Sequence, residues 1–259
     1  MRLKSLLFFL AFSLTIIVSG QETAFIQQDL EISEELKGTL LKPKDLESYP
    51  LVIIIPGSGP TDRNGNQKHL KNNSLKQLAE RLSSNNIATF RYDKRILHQI
   101  KDDNFKEEKV SFDGFIEDAK TIIKYFKKYP KYNKIYIAGH SQGSLVGMVA
   151  AQDLADGFIS IAGAGQAIDE VIIHQIENTA PSLAESAKET LKQMRKGKIA
   201  KDYNPQLETL FRKSLQPFMI SWMKYNPADE IKKLTIPVLI VNGDKDLQVP
   251  ISEGISNNR

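Results

Sequence analysis

Ser141 is the residue best suited to covalent chemistry in this chain. It stands between Gly139 and Gly143 in a Gly-x-Ser-x-Gly pattern. The apolar run 135–138 before the pattern is typical of a buried strand, and the small residues after it can continue as a helix. A serine on such a sharp strand-to-helix turn exposes its hydroxyl, and glycines are needed where the backbone is crowded. The pattern predicts a nucleophilic serine. The alternative is a glycine-rich turn whose serine takes no part in chemistry.

Two further segments place polar groups directly after apolar strands. The run 51–55 is continuously apolar and leads into the loop 56–60, with the sequence PGSGP. Backbone N–H groups of such a loop could stabilise an oxyanion. The run 237–241 leads into a turn that carries Asp244 and Asp246. For both segments, an ordinary loop or turn is the alternative interpretation.

Together with Ser141, these segments resemble the α/β-hydrolase superfamily, in its branch of secreted bacterial esterases, dienelactone hydrolases and serine-aminopeptidase-like enzymes. The resemblance extends over nearly all of the chain beyond its N-terminal segment. It implies that Ser141 is the nucleophile and that the N–H groups of Ser58 and Gln142 form the oxyanion hole. Asp246 is then the acid that orients a catalytic histidine.

The order of the elements predicts the architecture. Apolar strands alternate with amphipathic helices, which indicates an α/β fold with a doubly wound, mostly parallel sheet. After the strand at 158–161 the alternation stops, and helices are expected at approximately 167–177, 182–196, 205–215 and 218–225. The resemblance places a helical cap insertion at about residues 165–232. Phe218 and Trp222 would then line an acyl pocket under the cap or instead pack its core.

The segment 91–95, with the sequence RYDKR, ends the strand that is predicted at 87–92. It resembles another motif that is common in this branch of the superfamily. Its expected role is structural, with its charged side chains bracing the oxyanion loop 56–60.

The histidines depart from the family pattern. In the family the catalytic histidine follows the acid in sequence, but residues 247–259 contain no histidine. The four histidines that are present all precede the predicted acid: His69, His98, His140 and His174. We therefore expect a C-terminally truncated chain that lacks the last strand and helix of the fold, and we expect its catalysis to be impaired.

The N-terminus has the composition of a secretory signal peptide. Met1–Lys4 is basic, Leu6–Val18 is almost wholly apolar, and small residues precede Gln21. Residues 1–20 are therefore predicted to be cleaved, and residues 21–259 to form the hydrolase domain. The protein is expected to be secreted or periplasmic without stable insertion into a membrane; an uncleaved anchor is the alternative.

Composition limits the partners that need to be considered. The 259 residues are 41% apolar and 25% charged, as in an ordinary globular domain, and include no cysteine. Cleavage of the leader would remove Arg2 and Lys4, which lowers the formal net charge of +4 by 2. Nothing then calls for an anionic partner such as nucleic acid. Without cysteine, disulfides and thiolate metal sites are excluded, and neither a metal nor a cofactor is predicted.

The sequence thus predicts a serine hydrolase that cleaves a carboxylic ester or a related small-molecule acyl substrate. A secreted peptidase of the same fold shares all of these motifs and is one alternative. The other alternative is a non-catalytic protein that keeps the acyl pocket and binds its ligand without turnover.

Overall fold

The computed structural model describes residues 24–246, 248 and 249. The predicted signal peptide, residues 1–20, lies outside this part of the chain, as do residues 250–259. The expected absence of a last strand and helix therefore stays a prediction. Among the described helices, none is both long enough and apolar enough to cross a membrane.

The strands of the described residues form one sheet. They are β1 (Phe25–Ser33), β2 (Leu36–Pro43), β3 (Tyr49–Ile55), β4 (Ala88–Tyr92), β5 (Tyr132–His140), β6 (Gly157–Ile161) and β7 (Val238–Val241). Their order across the sheet is β1-β2-β4-β3-β5-β6-β7. β2 pairs antiparallel with both β1 and β4, whereas every pair from β4 to β7 is parallel. The prediction of an α/β fold with a mostly parallel sheet is confirmed.

Helices cover both faces of this sheet. Before β6 they are α1 (Ser74–Ser83), α2 (Ile96–Gln99), α3 (Phe112–Lys127) and α4 (Gln142–Ala151). On one face, Leu51, Ile53 and Phe90 pack with α3 and α4; on the other, Val52 and Ile54 pack with α1. This two-sided burial explains why β3 is apolar throughout and does not alternate with polar residues.

A run of helices separates β6 from β7, and we call residues 167–233 the helical insertion. Its helices are α5 (Ile168–Thr179), α6 (Ala184–Arg195), α7 (Glu208–Phe211), α8 (Gln216–Trp222) and α9 (Pro227–Glu230). They bury an apolar cluster of their own, which includes Ile172, Leu191, Met194, Phe211 and Met219. This cluster fixes the insertion as a packed layer beside the sheet.

The single helix that the sequence predicts at 205–215 is not formed. α7 ends at Phe211 because Arg212 adopts an extended conformation, with φ −51° and ψ 141°. The buried side chain of Gln216 compensates for the break, since it donates hydrogen bonds to the carbonyl oxygens of Phe211 (2.6 Å) and Ala200 (3.0 Å). It also accepts one from Ala200 N (2.7 Å). Hydrogen bonds across the insertion thus replace those of a continuous helix.

Candidate active site

Ser141 lies at the turn between β5 and α4, where the chain reverses sharply. Its backbone has φ 52° and ψ −120°, a conformation that costs a residue with a side chain about 1–3 kcal/mol. The turn is held because Ser141 N donates a hydrogen bond to the carbonyl of Ile161 (2.9 Å), while Ser141 O accepts one from Ser144 N (2.8 Å). Backbone strain of this kind is a physical reason to look for function at Ser141.

Gly139 and Gly143 allow this turn to exist. A Cβ atom on Gly139 would lie 2.1 Å from the carbonyl oxygen of Gly143. A Cβ atom on Gly143 would lie 2.5 Å from the carbonyl oxygens of both Ile55 and Pro56. Because these contacts are with backbone, a larger residue at either position would push the turn away from the sheet. The glycine spacing is therefore a requirement of the backbone around Ser141.

The loop after β3 lies directly against Ser141. A Cβ atom on Gly57 would come within 3.3 Å of Ser141 Cβ and 3.0 Å of His140 Nδ1. Ser58, the next residue, lines the same cavity as Ser141 and Gln142. The structure thus brings together the predicted nucleophile and both residues whose N–H groups the resemblance assigns to the oxyanion hole.

A cavity of about 400 Å³ opens at Ser141, with walls from the loops of the sheet and from the helical insertion. The described residues that line it include no charged side chain. Its apolar lining consists of Leu145, Ala164, Ile168, Val171, Ile172, Leu210, Leu215, Met219, Trp222, Pro227 and Val249. Such a lining suits an uncharged, largely apolar group.

The structure separates the two aromatic residues of α8 that the sequence assigns to an acyl pocket. Trp222 lines the cavity, and its ring stacks on Phe112 with the centroids 5.3 Å apart. Phe218 does not belong to the described lining; its ring packs against Phe115 at 5.8 Å and Phe112 at 6.4 Å. Phe218 therefore packs α8 on α3, and it also lies against the apolar cluster of the helical insertion.

Asp246 lies on the turn after β7 and binds the backbone of that turn. Its Oδ1 accepts hydrogen bonds from the N–H groups of Gln248 (2.8 Å) and Val249 (3.0 Å), which is ordinary turn chemistry for aspartate. The carboxylate also acts on His140: burial lowers the pKa of this imidazole, and the negative charge of Asp246 partly offsets the effect. Asp246 thus lies within electrostatic range of the turn at Ser141 without lining the cavity described above.

None of the four histidines lines this cavity in the described part of the chain. His69 is exposed on a loop, His98 lines a different cavity, and His174 lies within α5. His140 directly precedes Ser141 in sequence. The site therefore combines a strained serine and two candidate oxyanion donors with no histidine in the cavity itself.

Within the RYDKR segment, Lys94 contacts the oxyanion loop as the sequence predicts, whereas Arg95 binds Asp118 on α3. The Nζ of Lys94 donates hydrogen bonds to the carbonyl of Gly57 (3.0 Å) and to Gln142 Oε1 (2.7 Å). Asp93 holds the segment that follows this loop by accepting a hydrogen bond from Arg63 Nη2 (2.7 Å). Burial of Lys94 could not be predicted, because lysines are mostly exposed and no local signal marks this one.

Burial lowers the pKa of Lys94 from 10.5 to about 7, which gives a prediction for stability. An unfolded lysine keeps its proton up to about pH 10, so above about pH 7 Lys94 binds more protons in the unfolded chain than in the folded chain. The free energy of unfolding should therefore rise with pH in this window, by up to about 1.4 kcal/mol per pH unit. Urea unfolding of the wild type and of Lys94→Met at several pH values tests this, and the wild type should show the steeper rise.

These measurements should stop near pH 9, about one unit below the pKa of an unfolded tyrosine. Burial raises the pKa of Tyr132, so this residue lowers stability only where unfolded tyrosine ionises. Parallel pH dependences for the wild type and Lys94→Met would contradict the assignment to Lys94.

Comparison with known proteins identifies the family. Residues 68–255 match the family model described as serine aminopeptidase, S33. The chain is also 30% identical over 239 residues to the esterase EstD of Thermotoga maritima, a match that covers 87% of this chain and 53% of EstD. The chain thus spans about half the length of this curated relative.

Solved structures share the fold. Est1E from Butyrivibrio proteoclasticus aligns with a TM-score of 0.57 and 23% identity, over 90% of this chain and 84% of Est1E. Est1E with bound ferulic acid aligns with a TM-score of 0.55 and 24% identity, over 86% of this chain and 81% of that one. With the sheet order and the family match, the conclusion is direct: this chain belongs to the serine aminopeptidase S33 family of α/β hydrolases.

Proposed function

We propose that this chain is a serine hydrolase that cleaves carboxylic esters or related acyl substrates, with Ser141 as its nucleophile. The observation that carries the proposal is the strained backbone of Ser141, φ 52°, at a cavity that Ser58 and Gln142 also line. The 30% identity to the esterase EstD supports an ester as the substrate.

In this reaction Ser141 Oγ attacks the substrate carbonyl and forms a tetrahedral intermediate. Its negative oxygen accepts hydrogen bonds from the N–H groups of Ser58 and Gln142. Collapse of the intermediate expels the alcohol and leaves an acyl group on Ser141, which water then hydrolyses. The serine proton must pass to a base and on to the leaving alcohol, and Asp246 would orient a histidine that does this.

We infer that the 259 residues alone catalyse this reaction feebly. No histidine in the described part of the chain lines the cavity, so neither proton transfer is assisted. His140 is a poor substitute for this base. Its backbone is itself part of the turn at Ser141, and its Nδ1 is turned towards Gly57. In a serine protease that lacks one member of its triad, the oxyanion hole and binding still give about 10³–10⁴-fold acceleration over water.

The lining of the cavity favours an esterase over a peptidase that recognises a free N-terminus. Such a peptidase would pair the substrate ammonium with a carboxylate, and no carboxylate lines the cavity among the described residues. The ring of Trp222 and the aliphatic walls instead suit an uncharged aromatic or branched acyl group. Ferulic acid, which is bound to Est1E, carries an aromatic acyl group.

A fluorophosphonate probe should label Ser141, slowly in the 259-residue chain, and mass spectrometry of the digested protein should find the adduct on that residue. Ser141→Ala should abolish the labelling, because the oxygen that forms the bond to phosphorus is removed. Ser182→Ala is the matched control: this serine is exposed on the helical insertion, and its loss should leave the labelling rate unchanged.

Two outcomes would argue against a nucleophilic Ser141. Equal labelling of the wild type and of Ser141→Ala would remove the nucleophile from the proposal. Complete lack of labelling, together with saturable binding of a fluorescent acyl ligand, would favour the non-catalytic acyl-binding protein.

A further inference from the structure

Lys94 combines deep burial with an amine that pairs with no carboxylate among the described residues. Lys94 is only 6% exposed to solvent. Burial alone lowers its pKa, and no carboxylate of the described residues contributes. An ammonium in such surroundings is costly and is rarely found without a role.

The Nζ of Lys94 has neighbours for its three donors. It donates to Gly57 O at 3.0 Å and to Gln142 Oε1 at 2.7 Å, and it lies 4.5 Å from the centroid of the Phe115 ring. Lys94 follows β4, Gly57 follows β3, and Gln142 follows β5, and these strands are neighbours in the sheet. One side chain therefore ties together the loops at the ends of β4, β3 and β5.

The hydrogen bond to Gly57 O fixes the direction of the Ser58 N–H. The carbonyl of Gly57 and the N–H of Ser58 belong to one planar, trans peptide unit, in which they point in opposite directions. A cation that holds the oxygen on the buried side turns the N–H to the other side, where Ser58 lines the cavity. The same bond polarises the peptide unit, which makes its N–H a stronger donor.

The hydrogen bond to Gln142 acts on the second oxyanion donor. Gln142 is the first residue of α4, so its backbone N–H is free of the helical hydrogen-bond pattern. Its side chain is turned inward, with the residue 6% exposed, and Lys94 holds it there. This contact sets the start of α4 relative to the loop after β3.

We propose that Lys94 is a positioning residue that holds the Ser58 and Gln142 N–H groups in the geometry of the oxyanion hole. The inference rests on the proposed function, because it assigns Lys94 to that reaction. Lys94 is absent from the described lining of the cavity, so it acts through its neighbours and not by contact with the substrate. Its removal should weaken stabilisation of the transition state while leaving substrate binding intact.

Lys94→Met keeps an unbranched apolar side chain and removes the donors. We expect the maximal rate of Ser141 labelling by a fluorophosphonate to fall by about 10- to 100-fold, since removal of a whole oxyanion donor costs about 10²–10³-fold. The probe concentration that gives half-maximal rate should not change. Lys134→Met is the matched control: Lys134 is exposed and pairs with Asp156 at 3.0 Å, and its loss should leave the rate at the wild-type level.

Chemical rescue distinguishes the contribution of the Lys94 amine from the contribution of side-chain packing. The chain contains no cysteine, so Lys94→Cys introduces a unique thiol. Alkylation of the unfolded variant with 2-bromoethylamine, followed by refolding, yields a lysine analogue with sulfur in place of one methylene. This form should recover most of the labelling rate, whereas the S-ethyl form made with iodoethane should not. Equal rates for the two forms would overturn the inference.

If the variants do not refold, NMR of the wild-type protein tests the positioning role of Lys94 instead. The amide signals of Ser58 and Gln142 should shift with pH at the same midpoint as the Cε signal of Lys94, because its charge polarises both loops. The inference would be overturned if the Ser58 and Gln142 amide signals do not shift as Lys94 titrates. It would also be overturned if Lys94→Met is labelled at the wild-type rate. The proposed function fails on a different result, namely labelling that survives Ser141→Ala.

Discussion

Alanine at position 139 is expected to remove a large part of the protein's stability. The Cβ of Gly139→Ala would lie 2.1 Å from Gly143 O, and α4, every residue of which is buried, has no room to retreat. We expect a loss of about 3 kcal/mol or more in the free energy of unfolding, against a total of about 5–15 kcal/mol for a typical domain. Urea unfolding followed by the fluorescence of Trp222, the single tryptophan, measures this loss.

Gly197→Ala is the control for this variant. Gly197 has φ 74°, but a Cβ atom there would have no neighbour within 4 Å. Its replacement should cost only the left-handed conformation, about 1–2 kcal/mol, and should leave labelling of Ser141 unchanged. Similar losses of stability in Gly139→Ala and Gly197→Ala would show that steric overlap at the turn is not what requires Gly139.

A supplied histidine should produce the largest kinetic change. We expect that a C-terminal extension with a strand, a helix and a histidine, taken from an esterase of this family, raises hydrolysis of an activated aryl ester by about three orders of magnitude or more. The reason is that Ser141 then has a base to take its proton and an acid to protonate the leaving group. Steady-state hydrolysis and the rate of fluorophosphonate labelling both report the change.

Two variants of the extended protein test the cause of this gain. Ser141→Ala should remove it, and replacement of the supplied histidine by glutamine should return the rate to that of the 259-residue chain. An extension that stabilises the fold without raising the rate would mean that the base comes from elsewhere. High activity of the 259 residues alone would point first to His174, because the helical insertion that carries it could bring it over Ser141.

The sheet and the turn at Ser141 could be predicted because local features determine them. A continuous apolar run such as 51–55 is the signature of a strand that is covered on both faces. Gly139 and Gly143 mark the turn because the backbone itself leaves no room for a Cβ atom at either position. The glycine spacing can be recognised in the sequence itself, although the backbone that excludes a Cβ atom at Gly143 belongs to the distant residues Ile55 and Pro56.

The parts of the site that the sequence left open depend on distant partners. Lys94 binds Gly57 and Gln142, which are 37 and 48 residues away, and nothing beside it in the sequence shows that it is buried. Phe218 and Trp222 lie one turn apart on α8, and only the packing against α3 decides that one fills the core and the other lines the cavity. Residue type at helical spacing cannot separate these two outcomes.

The division between the sheet and the helical insertion has an evolutionary consequence. Ser141, Ser58 and Lys94 all stand on loops at the ends of β5, β3 and β4, whereas most of the apolar cavity wall comes from α5, α8 and their connections. Mutations in the insertion can therefore change which group fits the cavity while Ser141, Ser58 and Lys94 keep their positions. Under the proposed function, sequence changes confined to the helical insertion could alter the range of substrates without changing the loops of the sheet.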